Sequence, residues 1–273
     1  METRDDQGYL VLTPKFSKLY ERTSYLNKKV DLVINSIIEY DIRSANTSSL
    51  RNAGALTERE LSSIEELPRH DRQVAIGKMI KENPKVGKII HDQITWAKSN
   101  LFRANGIQDE EILSIKNDAV YIIGRKLKSL KFGAMEFRPK SVYSAYMMLD
   151  GLEVYYDGKE KRVDIKGISD DILEIEDHQK GILSFMATCM GYIVRDRRDA
   201  LTKYLIEYTS QYKKKELPVE HYRELSKYNA YRLSFPGDTM AFYLEQISEE
   251  DLKDVSGIYN FNRIILPMIQ RFI

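Results

Sequence analysis

An α+β fold is predicted by three features of the chain. β-Branched and alternating apolar runs bounded by turn-forming dipeptides occupy residues 31–40 and 112–166. Helical periodicity fills 57–105 and returns from Asp177 onward. An apolar fraction of 42% beside 30% charged residues describes a globular chain with enough apolar side chain to form a core. At 273 residues that core is either one large one or two modest ones, so one or two domains are expected.

Taken in order, residues 1–30 form a polar, tyrosine-bearing lead with Pro14 near its middle and a short helix at its end. Asp31 to Tyr40 is β-branched enough for a central strand, and it delivers Asp41-Ile42-Arg43-Ser44-Ala45-Asn46 at its end. Thr57 followed by Glu60 reads as a capping box, opening a helix that stops before Pro68. A second helix runs from Arg69 until Asn83-Pro84 ends it. Ile89, Ile90, Ile94, Ala97, Leu101 and Phe102 then stand at i, i+4 and i+7 spacings over Lys88 to Asn105, an amphipathic helix with Trp96 in its core and Asn105-Gly106 as its C-cap.

Two apolar runs, Ile112 to Ile115 and Ala119 to Ile123, flank Lys116-Asn117-Asp118, the pattern of a β-hairpin with Asn-Asp at the turn. Further strands are expected at Gly133 to Phe137, at Tyr143 to Tyr156 with a turn at Asp150-Gly151, and at Arg162 to Ile165. The short connections make the sheet mainly antiparallel. Helices follow at Gly181 to Val194, Arg198 to Tyr212, Glu220 to Tyr228 and Tyr259 to Ile273, with a break at Leu217-Pro218.

The net charge of +1 conceals segregated patches: Lys116 to Lys140 carries seven basic residues against Asp118 and Glu136, and Asp164 to Asp177 is acidic. Cys189, the single cysteine, rules out an intrachain disulfide and a cysteine-rich metal site, and a reducing, cytoplasmic setting is expected. Met1 to Gly8 is charged, and no apolar run approaches the roughly 18 residues that cross a bilayer, so no membrane association is expected. His70, His91, His178 and His221 show no metal-ligand spacing.

The chemistry-bearing pattern is two acids, Asp41 at a strand end and Asp118 at a hairpin turn, separated by a helical insertion. Each acid alone reads as an ordinary strand-end or turn residue. On adjacent strands, the two would hold a pair of Mg²⁺ ions about 3.5–4 Å apart, the arrangement that supports phosphoryl transfer.

Together these segments resemble the palm and thumb of the B-family DNA polymerases. Tyr40-Asp41-Ile42-Arg43-Ser44-Ala45-Asn46 is similar to the first metal motif of that family, and Lys116-Asn117-Asp118-Ala119-Val120 to the second. Asn83-Pro84-Lys85-Val86-Gly87 falls where the fingers motif lies. Glu136-Phe137-Arg138-Pro139-Lys140 and Asp164-Ile165-Lys166-Gly167-Ile168 resemble the palm strands that handle template and primer.

The resemblance implies an antiparallel-sheet polymerase palm at 31–45 and 106–176, a short fingers-like helical insertion plus palm helix at 46–105, and a mostly helical thumb at 177–273. It implies Asp41 and Asp118 as catalytic metal ligands for two Mg²⁺, with Mn²⁺ as substitute. Ile42, Arg43, Ser44, Ala45, Asn46, Arg69, Arg72, Lys78, Asn83 and Lys116 would bind the nucleoside triphosphate. Arg138, Lys140, Tyr143, Lys166, Gly167, Arg223, Lys227 and Tyr231 would grip primer-template DNA. With no proofreading region alongside, the resemblance implies either one piece of a split polymerase, whose partner would be a second polymerase subunit, or a stand-alone minimal relative.

Two departures open an alternative. Lys116 stands where the family has the first acid of its second motif, and the fingers lysine falls on Met79, beside Lys78. Both features suit a catalytically degenerate palm-thumb module that binds nucleic acid or scaffolds a replication complex. Asn46 stands at the family's sugar-discriminating tyrosine, which implies weak selection between ribo- and deoxynucleotides. Template-independent nucleotide addition would use the same site.

Overall fold

The computed structural model describes residues 3–4, 10–11, 16–168, 170–225 and 249–273. It is a mixed α/β structure with antiparallel sheets, divided into two compact units: residues 1–28 with 37–142, and residues 29–36 with 143–273.

In the first unit a small β1–β2 pair (Thr3–Arg4, Leu10–Val11) precedes a six-stranded sheet. That sheet is ordered β3 (Ser24–Leu26), β6 (Ile112–Lys116), β7 (Ala119–Ile123), β5 (Ile37–Ile42), β9 (Met135–Tyr143), β8 (Lys131–Phe132). Period-two alternation sends Ile38, Tyr40, Ile42, Val120, Ile122, Met135 and Phe137 to one face, where they share a core with helix residues Ile90, Ile94, Ala97, Leu101 and Phe102. Those last residues form the apolar stripe of α4 (Pro84–Asn105), a 22-residue helix that ends on Gly106 in the left-handed region at φ +60°.

Three helices precede α4. α1 (Ala45–Asn52) follows β5 immediately, and α2 (Glu58–Glu65) begins with the expected capping box. In that box the Glu60 amide donates to Thr57 Oγ1 at 3.3 Å and the Thr57 amide donates to Glu60 Oε2 at 2.8 Å. α3 (Arg69–Glu82) ends at Asn83, whose side chain caps α4 by accepting from the Lys85 amide at 3.2 Å.

The second unit has a four-stranded sheet ordered β12 (Arg162–Lys166), β11 (Leu152–Asp157), β10 (Ala145–Leu149), β4 (Leu32–Val33), antiparallel throughout. Short helices α5 (Asp170–Leu173) and α6 (Glu176–Lys180) lead into α7 (Ile182–Val194) and α8 (Arg198–Lys213). α9 (Glu249–Asn260) continues through a π turn at Phe261–Ile265 into α10 (Leu266–Phe272). Pro267 supplies no amide for the helical ladder, and the wider turn just before it accommodates that missing donor. Ala145, Met147, Val154, Val163 and Ile165 from the sheet meet Phe185, Met186, Cys189, Leu205, Tyr208 and Met268 in one core.

Several sequence expectations need correction. The strand expected over 31–40 is two strands serving different sheets, because Asn35 Oδ1 takes the Ser36 amide at 2.7 Å and breaks the run; Asp41 therefore lies inside β5 and not beyond it. Gly133, expected in a strand, occupies a turn at φ +54° between β8 and β9. Among its described residues the lead contributes the β1–β2 pair and an edge strand, β3, besides a 3-10 turn at Leu19–Glu21. Trp96, expected in the core, is 42% exposed. The helix expected at Glu220 to Tyr228 is a 3-10 turn over Val219–Tyr222 followed by non-helical chain through 225, and residues 226–228 lie outside the described residues.

Candidate functional site

β6 and β7 join through a two-residue turn, with Lys116 paired to Ala119. Asn117 adopts φ +53°, a conformation that asparagine accepts at little cost, and its amide donates to the Thr23 carbonyl at 2.6 Å. The lead strand is thereby fastened to the hairpin tip that presents Asp118. On the neighbouring strand Asp41 pairs with Ala119, and the Ile42 amide reaches the Asp118 carbonyl at 3.4 Å. The structure thus brings Asp41 and Asp118 side by side at one end of the β5–β7 pair.

Their proximity has an electrostatic signature. Burial, then the negative charge of Asp41 and a hydrogen bond that the protonated Asp118 carboxyl donates to it, raises the Asp118 pKa to about 6; the Asp118 amide and Lys140 pull in the other direction. Lys140 extends from β9 to Glu39 at 3.2 Å, and Glu39 is a nearly inaccessible side chain two residues before Asp41 on the same side of β5. Lys98, 1% exposed on α4, donates through Nζ to the Arg22 carbonyl at 2.6 Å. Burial lowers the Lys98 pKa to about 8, and Asp118 opposes that shift. Among the described residues no three His, Cys, Asp or Glu side chains form a metal cluster, so the centre is a pair of carboxylates with lysines near it.

Sequence reasoning missed Lys98 and Glu39. Lys98 lies four residues after Ile94 on the apolar stripe of α4, and a charge within such a stripe was the available signal. Glu39 shares strand parity with Asp41, a signal that also stands in the sequence.

The proposed triphosphate contacts separate into groups. Ile42 is buried on the core face, Arg43 is exposed, and Ser44 turns the chain at φ +48° into α1, where Ala45 and Asn46 form the first turn. No side chain caps that helix start; the Ser48 hydroxyl instead donates to the Arg43 carbonyl at 2.8 Å. On α3, Arg69 and Lys78 are exposed, whereas Arg72 donates to the carbonyls of Glu65 and Leu67 at 3.0 and 3.1 Å and closes the end of α2. Among the described residues no hydrogen bond or ion pair joins these three to Asp41 or Asp118. Asn83 caps α4, and Lys116 sits half-buried at the end of β6, paired with Ser24 of β3.

The proposed nucleic-acid contacts divide likewise. Arg138 and Lys140 alternate with the buried Phe137 along β9 and are exposed. Tyr143 is corrected to a core residue: it is 4% exposed, donates to Asp164 at 2.6 Å and lies 4.9 Å from the Tyr155 ring, leaving no face for a base. Lys166 contacts Asp164 at 2.6 Å above the Tyr143 and Tyr155 rings, and Gly167 is exposed at φ +97°. Arg223 meets Asp177 at 2.7 Å. Lys227 and Tyr231 lie outside the described residues.

No helix among the described residues is long and apolar enough to cross a membrane. No curated protein sequence matches the chain. The family profile described as "Bacteriophage PBS1 gene 130 protein" matches residues 13–273, nearly the whole chain, and the chain belongs to that family of phage proteins.

Proposed function

We propose that this protein is a template-directed nucleotidyltransferase resembling the B-family DNA polymerases, the palm-thumb subunit of a split enzyme or a minimal relative of one. The observation that carries the reading is the meeting of Asp41 and Asp118 on adjacent antiparallel strands, where the second carboxyl is driven up to about 6. Burial is the first cause of that rise and the Asp41 charge the next, and a bound divalent cation would favour the ionised pair against both. Two carboxylate ligands, completed by water and substrate phosphates, suit Mg²⁺ and its substitute Mn²⁺, so the donor set fits the expected ions. When bound, the metal ions would lower the pKa of a primer 3′-hydroxyl and neutralise the departing pyrophosphate.

The chain's own groups have complementary parts in this reading. Asp41 and Asp118 hold the site's negative charge in place, and the buried Lys98 tempers it through its attraction to Asp118. The first-turn amides of α1, directly after Asp41 in sequence and without a side-chain cap, suit a phosphate oxygen. Exposed Arg138 and Lys140 supply the salt-sensitive contacts that a nucleic-acid backbone requires.

A second reading is favoured by the lysines themselves. Lys116 replaces an acid of the resembled motif, while Lys98 and Lys140 both act on Asp118, so the carboxylates have partial counter-ions without metal. That describes a degenerate palm-thumb module that binds nucleic acid or scaffolds a replication complex. Primer extension with Mg²⁺ or Mn²⁺, comparing the wild-type chain with Asp41→Asn and Asp118→Asn, separates the two. Extension lost in both variants supports catalysis; binding of primer-template by all three without extension selects the scaffold.

A further inference from the structure

The second unit contains a half-enclosed cavity of about 270 Å³ between the β11–β12 hairpin and one face of α7. Lys161 and Arg162 border it from the hairpin and Arg195 from the end of α7, and no carboxylate lines it. Among the described residues none of these cations joins an ion pair, although the neighbouring Lys159 and Arg198 are paired with Glu160 and Asp196. Three like charges around one hollow repel each other, and an anion relieves that repulsion.

Gly191 shapes the floor. A glycine inside a helix costs about 1 kcal/mol relative to alanine, and α7 needs no special backbone angle there. A Cβ at this position would lie 3.1 Å from Tyr156 Oη and 3.3 Å from Arg195 Nη2. The missing side chain therefore lets a phenol and a guanidinium converge over the helix backbone, and Ser184 lines the same cavity two turns earlier on α7. Val163, Leu183 and Ala187 complete an apolar side.

We propose that this cavity is a binding site for the terminal phosphate of a phosphomonoester, with the apolar side receiving part of the group that the phosphate is attached to. A terminal phosphate is a dianion with three free oxygens, matched to several cationic donors. A phosphodiester inside a strand carries one charge and needs an exit on two sides, which a half-enclosed cavity does not give. The site stands apart from the nucleotidyl-transfer reading, since all its residues belong to the second unit. Two sources present this chemistry, a small phosphomonoester and the 5′-phosphate end of a nucleic-acid strand.

Calorimetric titration of the full chain with inorganic phosphate, dTMP and thymidine, and with an oligonucleotide bearing either a 5′-phosphate or a 5′-hydroxyl, tests the site. Phosphate and dTMP are expected to bind and thymidine not to bind. R195Q and the pair K161Q/R162Q should each weaken dTMP at least about tenfold, the loss expected of a charge-assisted contact. G191V, which fills the floor while keeping every charge, should do the same, with circular dichroism and thermal melting verifying the helix. A 5′-phosphate that binds more tightly than dTMP identifies the strand end as the source; equal or weaker binding identifies the small molecule. Absence of phosphate-dependent binding, or unchanged affinity in R195Q and K161Q/R162Q, overturns the proposal.

Discussion

Asp118→Asn is expected to stabilise the metal-free protein while removing its proposed activity. In the folded chain the Asp118 carboxyl titrates at about 6, against an ordinary value of 3.8. Between those two pH values the folded form keeps a proton that the unfolded form has released, so stability falls as pH rises through this window and the penalty is complete above it. At about 1.36 kcal/mol per pH unit, the difference amounts to about 3 kcal/mol, an upper figure because Asp41 shares the effect. Asparagine has the same shape, is at home in a turn and cannot ionise. Trp96, the single tryptophan, lies on α4 in the same unit and reports its unfolding by fluorescence. Urea titrations should show the variant more stable by up to about 3 kcal/mol at pH 7.5, with the difference fading toward pH 3.5. A variant no more stable than wild type at pH 7.5, or a difference independent of pH, would refute the electrostatic argument.

Removing the buried ammonium with Lys98→Met should move the Asp118 titration above its wild-type midpoint, followed by ¹³C NMR of the carboxyl carbon, because an attracting charge is lost. In wild type the same lysine, depressed from 10.5 to about 8, should make stability rise with pH across that interval, since there the unfolded chain binds the extra proton. Tyr40→Phe should cost about 1–3 kcal/mol in chemical denaturation, as the buried Leu127 amide donates to Tyr40 Oη at 2.7 Å and would lose its acceptor. Millimolar Mg²⁺ should raise the melting temperature of wild type and leave Asp118→Asn unmoved; equal shifts in both would place the ion elsewhere.

Local grammar made much of this fold legible. The hairpin of β6 and β7 announces itself through two apolar runs around Asn117-Asp118, and α2 through Thr57 and Glu60. Gly106 closes α4 where the sequence puts it. What stayed hidden depends on distant partners. α1 carries Thr47, Ser48 and Ser49 at its buried positions, residues that favour turns and caps in isolation; here the Thr47 and Ser48 hydroxyls donate to the carbonyls of Ser44 and Arg43. β3 is three residues long and gains its meaning only from pairing with β6. Tyr143 and Arg223 looked like ligands for nucleic acid because their types allow it, while Asp164 and Asp177, which engage them, are 21 and 46 residues away in sequence.

The candidate site shows the same limit in its charges. From sequence, Lys116 seemed the decisive departure, two residues from Asp118 and in place of an acid. The structure directs attention to a different lysine: Lys98 acts on Asp118 from within the core, held by the Arg22 carbonyl, while Lys140 acts from β9 at half exposure. A buried cation is costly unless an anion lies near it, and a buried carboxylate is costly unless a cation does. Yet Asp118 remains above its ordinary range, because burial and the adjacent Asp41 charge together outweigh the attraction of Lys140. A carboxyl raised by burial beside a second carboxylate is one whose ionisation a bound cation would favour, so the test of the proposed function falls on Asp118 and not on the substitution at Lys116.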